Sequence, residues 1–188
     1  EAVPHHEPIK KDETKIKTIL MAGRVDDPLK GLQVLMEAGH RLACTRKDFA
    51  IWATHFDHTL SKQWFKALGW KDHSDVLDLY AQCDIAVVPS IWDEPFGLVA
   101  VEAMAAGRPV CASKVGGLQE IVAHGETGYL HPRGDAATLA NQLDHLLNDH
   151  DLRVRMGKAG RKTVEDHYDW KRIMVQRYVP LIEALLHD

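Results

Sequence analysis

The chain has 188 residues, 45% hydrophobic and 27% charged, which is enough ordinary globular sequence for one good core or two small ones. Its 23 basic and 27 acidic residues leave a formal net charge of −4, which argues against a general nucleic-acid binder, because neutralising phosphates takes a basic face. No apolar run approaches the roughly 20 residues that span a bilayer, and Glu1-Ala2-Val3-Pro4 lacks the basic start and apolar stretch of a signal peptide.

Residues 1–14, with two prolines, two histidines and six charged side chains, read as a linker. From Lys15 short apolar runs alternate with helical periods. Ile16 to Met21 is a strand that ends in a turn at Ala22-Gly23-Arg24. Leu29 to Ala43 sets Leu32, Leu35, Met36 and Ala43 on one helical stripe. Phe49 to Ala53 is a second strand. The next stretch is ambiguous: Trp64 to Leu68 is either a strand reached by a short loop, or part of a helical stripe of Leu60, Trp64, Ala67 and Leu68. Ile85 to Pro89 is fully apolar, as in a strand buried on both faces of a parallel sheet. Leu98 to Ala106 is helical until Gly107-Arg108-Pro109 stops it. Val110 to Ser113 and Gly128 to His131 are short strands. Asp135 caps a helix carrying Leu139, Leu143, Leu146 and Leu147, and two further helices run from about Asp151 to His167 and from Trp170 to Leu186. Strands alternating with helices predict an α/β fold, a doubly wound parallel sheet of about six strands with a C-terminal helical extension. The three cysteines, Cys44, Cys83 and Cys111, lie among apolar residues and read as reduced, buried thiols of a cytoplasmic protein.

The densest chemical signal runs from Ser90 to Glu102. A buried strand ends, a loop holds a carboxylate and a glycine, and a helix begins near Leu98. Ligands of open parallel sheets sit at the carboxyl ends of strands, and a helix N-terminus there offers free N–H groups to a phosphate. Glu102 lies about one turn inside that helix. Beside a phosphate it would be repelled, so its sensible role is to accept hydrogen bonds from sugar hydroxyls. Arg24 and Lys30 follow the first strand and would neutralise a diphosphate from the same edge. The loop Ser113 to Glu120, with Gly116 and Gly117, is a third phosphate-friendly turn.

These residues bring out a resemblance. Residues 17–170 resemble the C-terminal, donor-binding domain of retaining group 1 glycosyltransferases of the GT-B type. The resemblance runs through Ala22-Gly23-Arg24 with Lys30-Gly31, Leu68-Gly69-Trp70, Tyr80 to Asp84, and Glu94-Pro95-Phe96-Gly97 with Glu102 to Val110. It continues through Val115-Gly116-Gly117, Glu120-Ile121-Val122 and Gly125 to Gly128. Two glutamates with seven residues between them, around Phe-Gly, are its signature. It implies a nucleotide diphosphate sugar as substrate and no cofactor. Arg24 and Lys30 would bind the diphosphate, and Gly97 and Leu98 would offer backbone N–H groups beside Phe96. Glu94 would be the catalytic residue on the donor sugar, and Glu102 would take the ribose. Gly116, Gly117 and Trp70 are further candidates. The resemblance also implies a missing N-terminal acceptor domain, with residues 1–14 as the end of the linker and residues 171–188 as a helix crossing back to it. Any membrane contact would be peripheral, through that domain. Ala53 to His58 departs from the glycine that the family carries after its second strand.

Plainer readings stand beside these. Glu102 alone could be a solvated helix residue, Arg24 and Lys30 surface charges, and Gly116 with Gly117 merely a tight turn. His55 and His58 have metal-ligand spacing, but twelve histidines make chance pairs common, so no metal is expected. Trp64 and Trp70 suit a core or sheet position better than a base platform, and Tyr168 and Trp170 suit packing. The stripe Met174, Tyr178, Leu181 and Leu185 would dock either on this domain or on a missing one. Two alternatives of other kinds are the nucleotide-binding module of a sugar-nucleotide epimerase and a non-catalytic doubly wound signalling domain.

Overall fold

The structure is a computed structural model, which describes residues 16–54 and 62–186. The linker reading of 1–14 and the His55/His58 pair lie outside the described residues. Six parallel strands form one sheet: β1 Lys17–Met21, β2 Phe49–Ala53, β3 Phe65–Ala67, β4 Ile85–Val88, β5 Val110–Ser113 and β6 Gly128–His131. Their spatial order is β3-β2-β1-β4-β5-β6. That is the order of doubly wound dinucleotide-binding sheets and not the 2-1-3-4-5 order of flavodoxin-like signalling domains, so the signalling alternative falls.

The helices are α1 Leu32–Ala43, α2 His73–Gln82, α3 Leu98–Ala105, α4 Leu118–Ile121, α5 Ala136–Asn148 and α6 His150–His167. Beyond α6 the chain forms α7 Trp170–Ile173, one π-helical turn Met174–Tyr178 and α8 Val179–Leu186. Because side chains alternate along a strand, each strand feeds two cores. Ile19, Met21, Ile51, Val87 and Cys111 face α1 and α5, while Leu20, Ala86, Val88, Val110 and Ala112 face α2, α3 and α4. The expected leucines of α5 are all buried, and its Asp135 cap accepts the Thr138 N–H at 2.9 Å. On α1 the buried face is centred on Leu35, Ala38 and Leu42, and Met36 and Ala43 are only half buried.

The ambiguous stretch resolves as a strand. β3 pairs parallel with β2, with Ile51 opposite Phe65, and the helical stripe through Trp64 is overturned. Trp64, just ahead of β3, packs against α1 and β2. Its ring makes an edge contact with His40 of α1 and stacks near Phe49 of β2, with centroids 5.1 and 6.0 Å apart. One cysteine corrects the sequence reading. Cys83 and Cys111 are buried, and burial pushes the Cys83 thiol up to about 12. Cys44 is exposed, since it caps the C-terminus of α1 one residue beyond the core-facing turn and only donates to the His40 carbonyl. Along the stripe of the last helix Met174 is half buried, while Tyr178, Leu181 and Leu185 are 47%, 62% and 77% exposed. Among the described residues no helix is long and apolar enough to cross a membrane.

Candidate functional site

At the carboxyl edge of the sheet the loop after β4 is fixed from two sides. On one side lies the turn before α1. Asp27 caps it by accepting the Leu29 N–H at 2.9 Å, and the Leu29 carbonyl accepts the Ile91 N–H at 2.9 Å. Gly31 takes φ +81° there and sits so close to the strand end that a Cβ would lie 1.9 Å from the Pro89 carbonyl oxygen. On the other side lies the turn after β5. The Gly117 N–H donates to the Glu94 carbonyl at 2.7 Å, and a Cβ on Gly116, at φ +44°, would lie 2.2 Å from that oxygen. Gly116 and Gly117 let one turn rest on the backbone of another.

This clamping places Lys30 on Glu94. The Lys30 ammonium lies 2.7 Å from Glu94 Oε1, and the Ser90 hydroxyl donates to the same oxygen at 2.6 Å. The two charged side chains are 18% and 7% exposed. The ammonium also sits 5.0 Å from the centroid of the Trp92 ring. Burial by itself would raise the Glu94 carboxyl. The hydrogen bonds from Lys30 and Ser90 and the Lys30 charge outweigh it, so the group lies below the ordinary glutamate range. The Trp92 indole N–H adds to this from nearby, although it is buried without a partner in good geometry among the described residues. A carboxyl so held is an ionised acceptor at neutral pH. It suits hydroxyl groups, and it has no proton to give.

Beyond Glu94 the chain turns at Gly97, φ +105°, into α3, whose N-terminus no side chain caps. The first N–H groups of α3 thus face the same edge, with the positive end of the helix dipole behind them. Phe96 and Leu98 flank the turn and are 45% and 64% exposed, and the Phe96 ring meets Tyr168 edge-on at 5.8 Å. Tyr168 thus packs, as expected, though against the site loop. Glu102 lies one turn inside α3 and pairs with His73, the first residue of α2, at 3.0 Å. Arg24 follows β1 and is exposed, and its side chain has no hydrogen-bond or ion-pair partner among the described residues. Trp70 is 59% exposed, just ahead of α2. Among the described residues no group of three or more His, Cys, Asp or Glu side chains could hold a metal ion.

The structure thus brings Lys30, Glu94 and the Gly97 turn together and sets Glu102 a helical turn away. Sequence reasoning gave no role to Ser90 or Trp92, although both lie inside the signature run. It also missed His73 and the ion pair of Asp93 with Arg133, which ties the β4–α3 loop to the loop after β6. Neither has a local signal, because His73 and Glu102 are 29 residues apart, and Asp93 and Arg133 are 40.

Comparison with known proteins gives this arrangement relatives. The sequence pattern of the family described as glycosyl transferases group 1 matches residues 57–163. Arg24 and Lys30 lie outside that match. A phosphatidyl-myo-inositol mannosyltransferase of Mycobacterium leprae is 36% identical over 168 residues, covering 85% of this chain and 45% of its own length. Among solved structures, sucrose-phosphate synthase from Thermosynechococcus elongatus superposes with a TM-score of 0.78 at 31% identity, over 93% of this chain and 47% of that one. The Anabaena protein HepE in complex with UDP-glucose superposes at 0.74 and 27% identity, over 90% of this chain and 49% of that one. This chain therefore spans less than half the length of these relatives. The Rossmann-like, GT-B type α/β fold expected from the sequence is the fold these structures share with it.

Proposed function

We infer the function from one premise, that the chain belongs to the family of glycosyl transferases group 1. It binds a nucleotide diphosphate sugar as the donor half of a transferase that moves the sugar, with retention at the anomeric carbon, to an acceptor held by a further domain. The observation that carries this reading is the buried Lys30–Ser90–Glu94 cluster beside the uncapped N-terminus of α3. An ionised carboxylate in reach of a cation and of free N–H groups offers acceptors for sugar hydroxyls next to donors for phosphate, which is the charge pattern of a sugar diphosphate. UDP-glucose bound by a relative of the same fold supports it.

In this reading Arg24, Lys30 and the N–H groups at Gly97 and Leu98 take the diphosphate and stabilise the negative charge that grows on it as the sugar leaves. Glu94 accepts from the hydroxyls of the transferred sugar and holds it against the reacting bond. Glu102 accepts from the ribose. These cations and dipoles supply what a divalent ion would otherwise bring, so donor binding is metal-independent. The whole protein works in the cytoplasm, with any membrane contact peripheral.

A thermal-shift screen of this chain against UDP-glucose, GDP-mannose, ADP-glucose and CDP-glucose tests the reading. At about 100 times its dissociation constant a ligand adds roughly 2.7 kcal/mol, or about 5–10 °C for a chain of this size. The shift is expected to survive EDTA, and transfer by the isolated chain is expected to be negligible. A flat response to every nucleotide sugar would overturn the reading.

A further inference from the structure

Glu102 has a companion that nothing in its own helix explains. His73 opens α2, and in a parallel sheet the helices that follow strands begin at the carboxyl edge, so His73 and the start of α3 share one rim. The His73 Nε2 lies 3.0 Å from Glu102 Oε1. A carboxylate only accepts, so Nε2 carries the proton in this contact. The imidazole is 70% exposed and the carboxylate 24%, and Oε2 of Glu102 has no hydrogen-bond partner among the described residues. One oxygen is held, and the other is open.

We propose that His73 is a positioning residue for the nucleotide: it fixes one oxygen of Glu102 so that the other faces the vicinal diol of the ribose. The proposal rests on the reading of Glu102 as the ribose ligand. A free glutamate on a helix samples several rotamers and must give them up when a ligand arrives. A partner that holds the side chain beforehand removes that loss, and affinity rises by the difference. The pair matters little for folding, because exposed ion pairs contribute little or nothing measurable to stability.

The charges facing His73 are few. On its own helix stand Asp75 and Asp78, and just ahead of it Lys71 and the cap Asp72, whose carboxylate is occupied by the Asp75 N–H and the Ser74 hydroxyl. From α3, packed against α2, the only charged residue is Glu102. The phenol of Tyr80 lies behind, buried and donating to the Val99 carbonyl. On β1 the one charged residue is Lys17, which pairs with Asp48.

Calorimetry with the tightest binder among UDP-glucose, GDP-mannose, ADP-glucose and CDP-glucose tests this. His73→Ala is expected to weaken binding about 3- to 10-fold with little change in melting temperature. His73→Gln, which keeps an N–H of similar reach, should bind within about 2-fold of the parent. In a Glu102→Ala background the His73→Ala effect should vanish. Unchanged or tighter binding by His73→Ala would overturn the proposal, as would His73→Gln binding no better than His73→Ala. If Glu102→Ala itself binds as the parent does, the ribose reading fails, a result distinct from the failure of His73 alone.

Discussion

Glu94 and Glu102 belong to one short run of chain and are held in opposite ways. Glu94 is buried on an irregular loop that turns grip from either side, and it carries two strong hydrogen bonds on one oxygen while its own carbonyl accepts the Gly117 N–H. Glu102 stands on a regular helix with a single partner, the exposed His73. The first is over-determined, so its charge and place are set before any ligand arrives. The second is adjustable. Such a division suits a site in which one carboxylate must meet a reacting sugar in fixed geometry, while the other only secures the handle.

The largest effect should come from loosening the grip on Glu94 without touching its side chain. Gly116→Ala puts a Cβ 2.2 Å from the Glu94 carbonyl at a φ of +44°. Left-handed backbone and overpacking each cost of order 1–3 kcal/mol, so a loss of about 2–4 kcal/mol is expected, measured as the shift in urea midpoint. Nucleotide-sugar binding should fall with it. If stability drops and binding per folded molecule does not, the grip serves the fold and not the carboxylate.

Replacing the carboxylate itself is the next largest step. Glu94→Ala strands Lys30, which is mostly buried, so binding of the nucleotide sugar should weaken by about 1–3 kcal/mol. The free diphosphate should bind unchanged or tighter, because the released ammonium can pair with phosphate. Stability against pH sharpens the contrast. The folded carboxyl lies below its ordinary value, which is about 4.3 for an unfolded glutamate. Its contribution is therefore complete above that pH and is lost as pH falls through the folded value. Glu94→Gln should be less stable than the parent at pH 7, and the two denaturation curves should converge below about pH 4.3. Parallel curves down to acid would mean that Lys30 and Ser90 do not hold the charge.

How much of this was legible follows from distance along the chain. The strands after Lys15, the helix from Leu98 and the signature from Ser90 to Glu102 are local patterns, and each is found where the sequence puts it. The pairing of Lys30 with Glu94 is not local. It depends on Gly31 resting against Pro89, a contact between two turns that no periodicity announces. The same holds for the network around Arg46, which bonds both Asp48 and Asp144 and ties the start of β2 to α5. The strand at Phe65 was ambiguous because three residues carry no period, and the packing of Trp64 on α1 decided it. Cys44 misled because Leu42 and Ala43 before it are apolar, whereas Thr45, Arg46 and Lys47 follow it and its own position, just past the end of α1, faces out.

The smallest effect belongs to Glu102, and it is the most discriminating. If Glu102 meets the ribose, it touches a part that the free nucleotide diphosphate and the nucleotide sugar share. Glu102→Ala should then weaken both by the same amount, about 1–2 kcal/mol, since one charged hydrogen-bond acceptor is lost from a half-open position. Glu94→Ala should weaken only the nucleotide sugar. Calorimetry of both ligands on both variants yields four affinities, and their pattern is more informative than any one of them. Unequal losses in Glu102→Ala would move that residue towards the transferred sugar. Equal losses in Glu94→Ala would make Glu94 a prop for its loop, held by Lys30 for structure alone, and would leave the donor sugar without its contact. Folding is a weak confounder for the first variant, because the side chain on α3 makes one exposed contact and fills no core. For the second it is a strong one, so the Glu94→Gln protein, with the same volume and no charge, is the control that separates a lost acceptor from a collapsed loop.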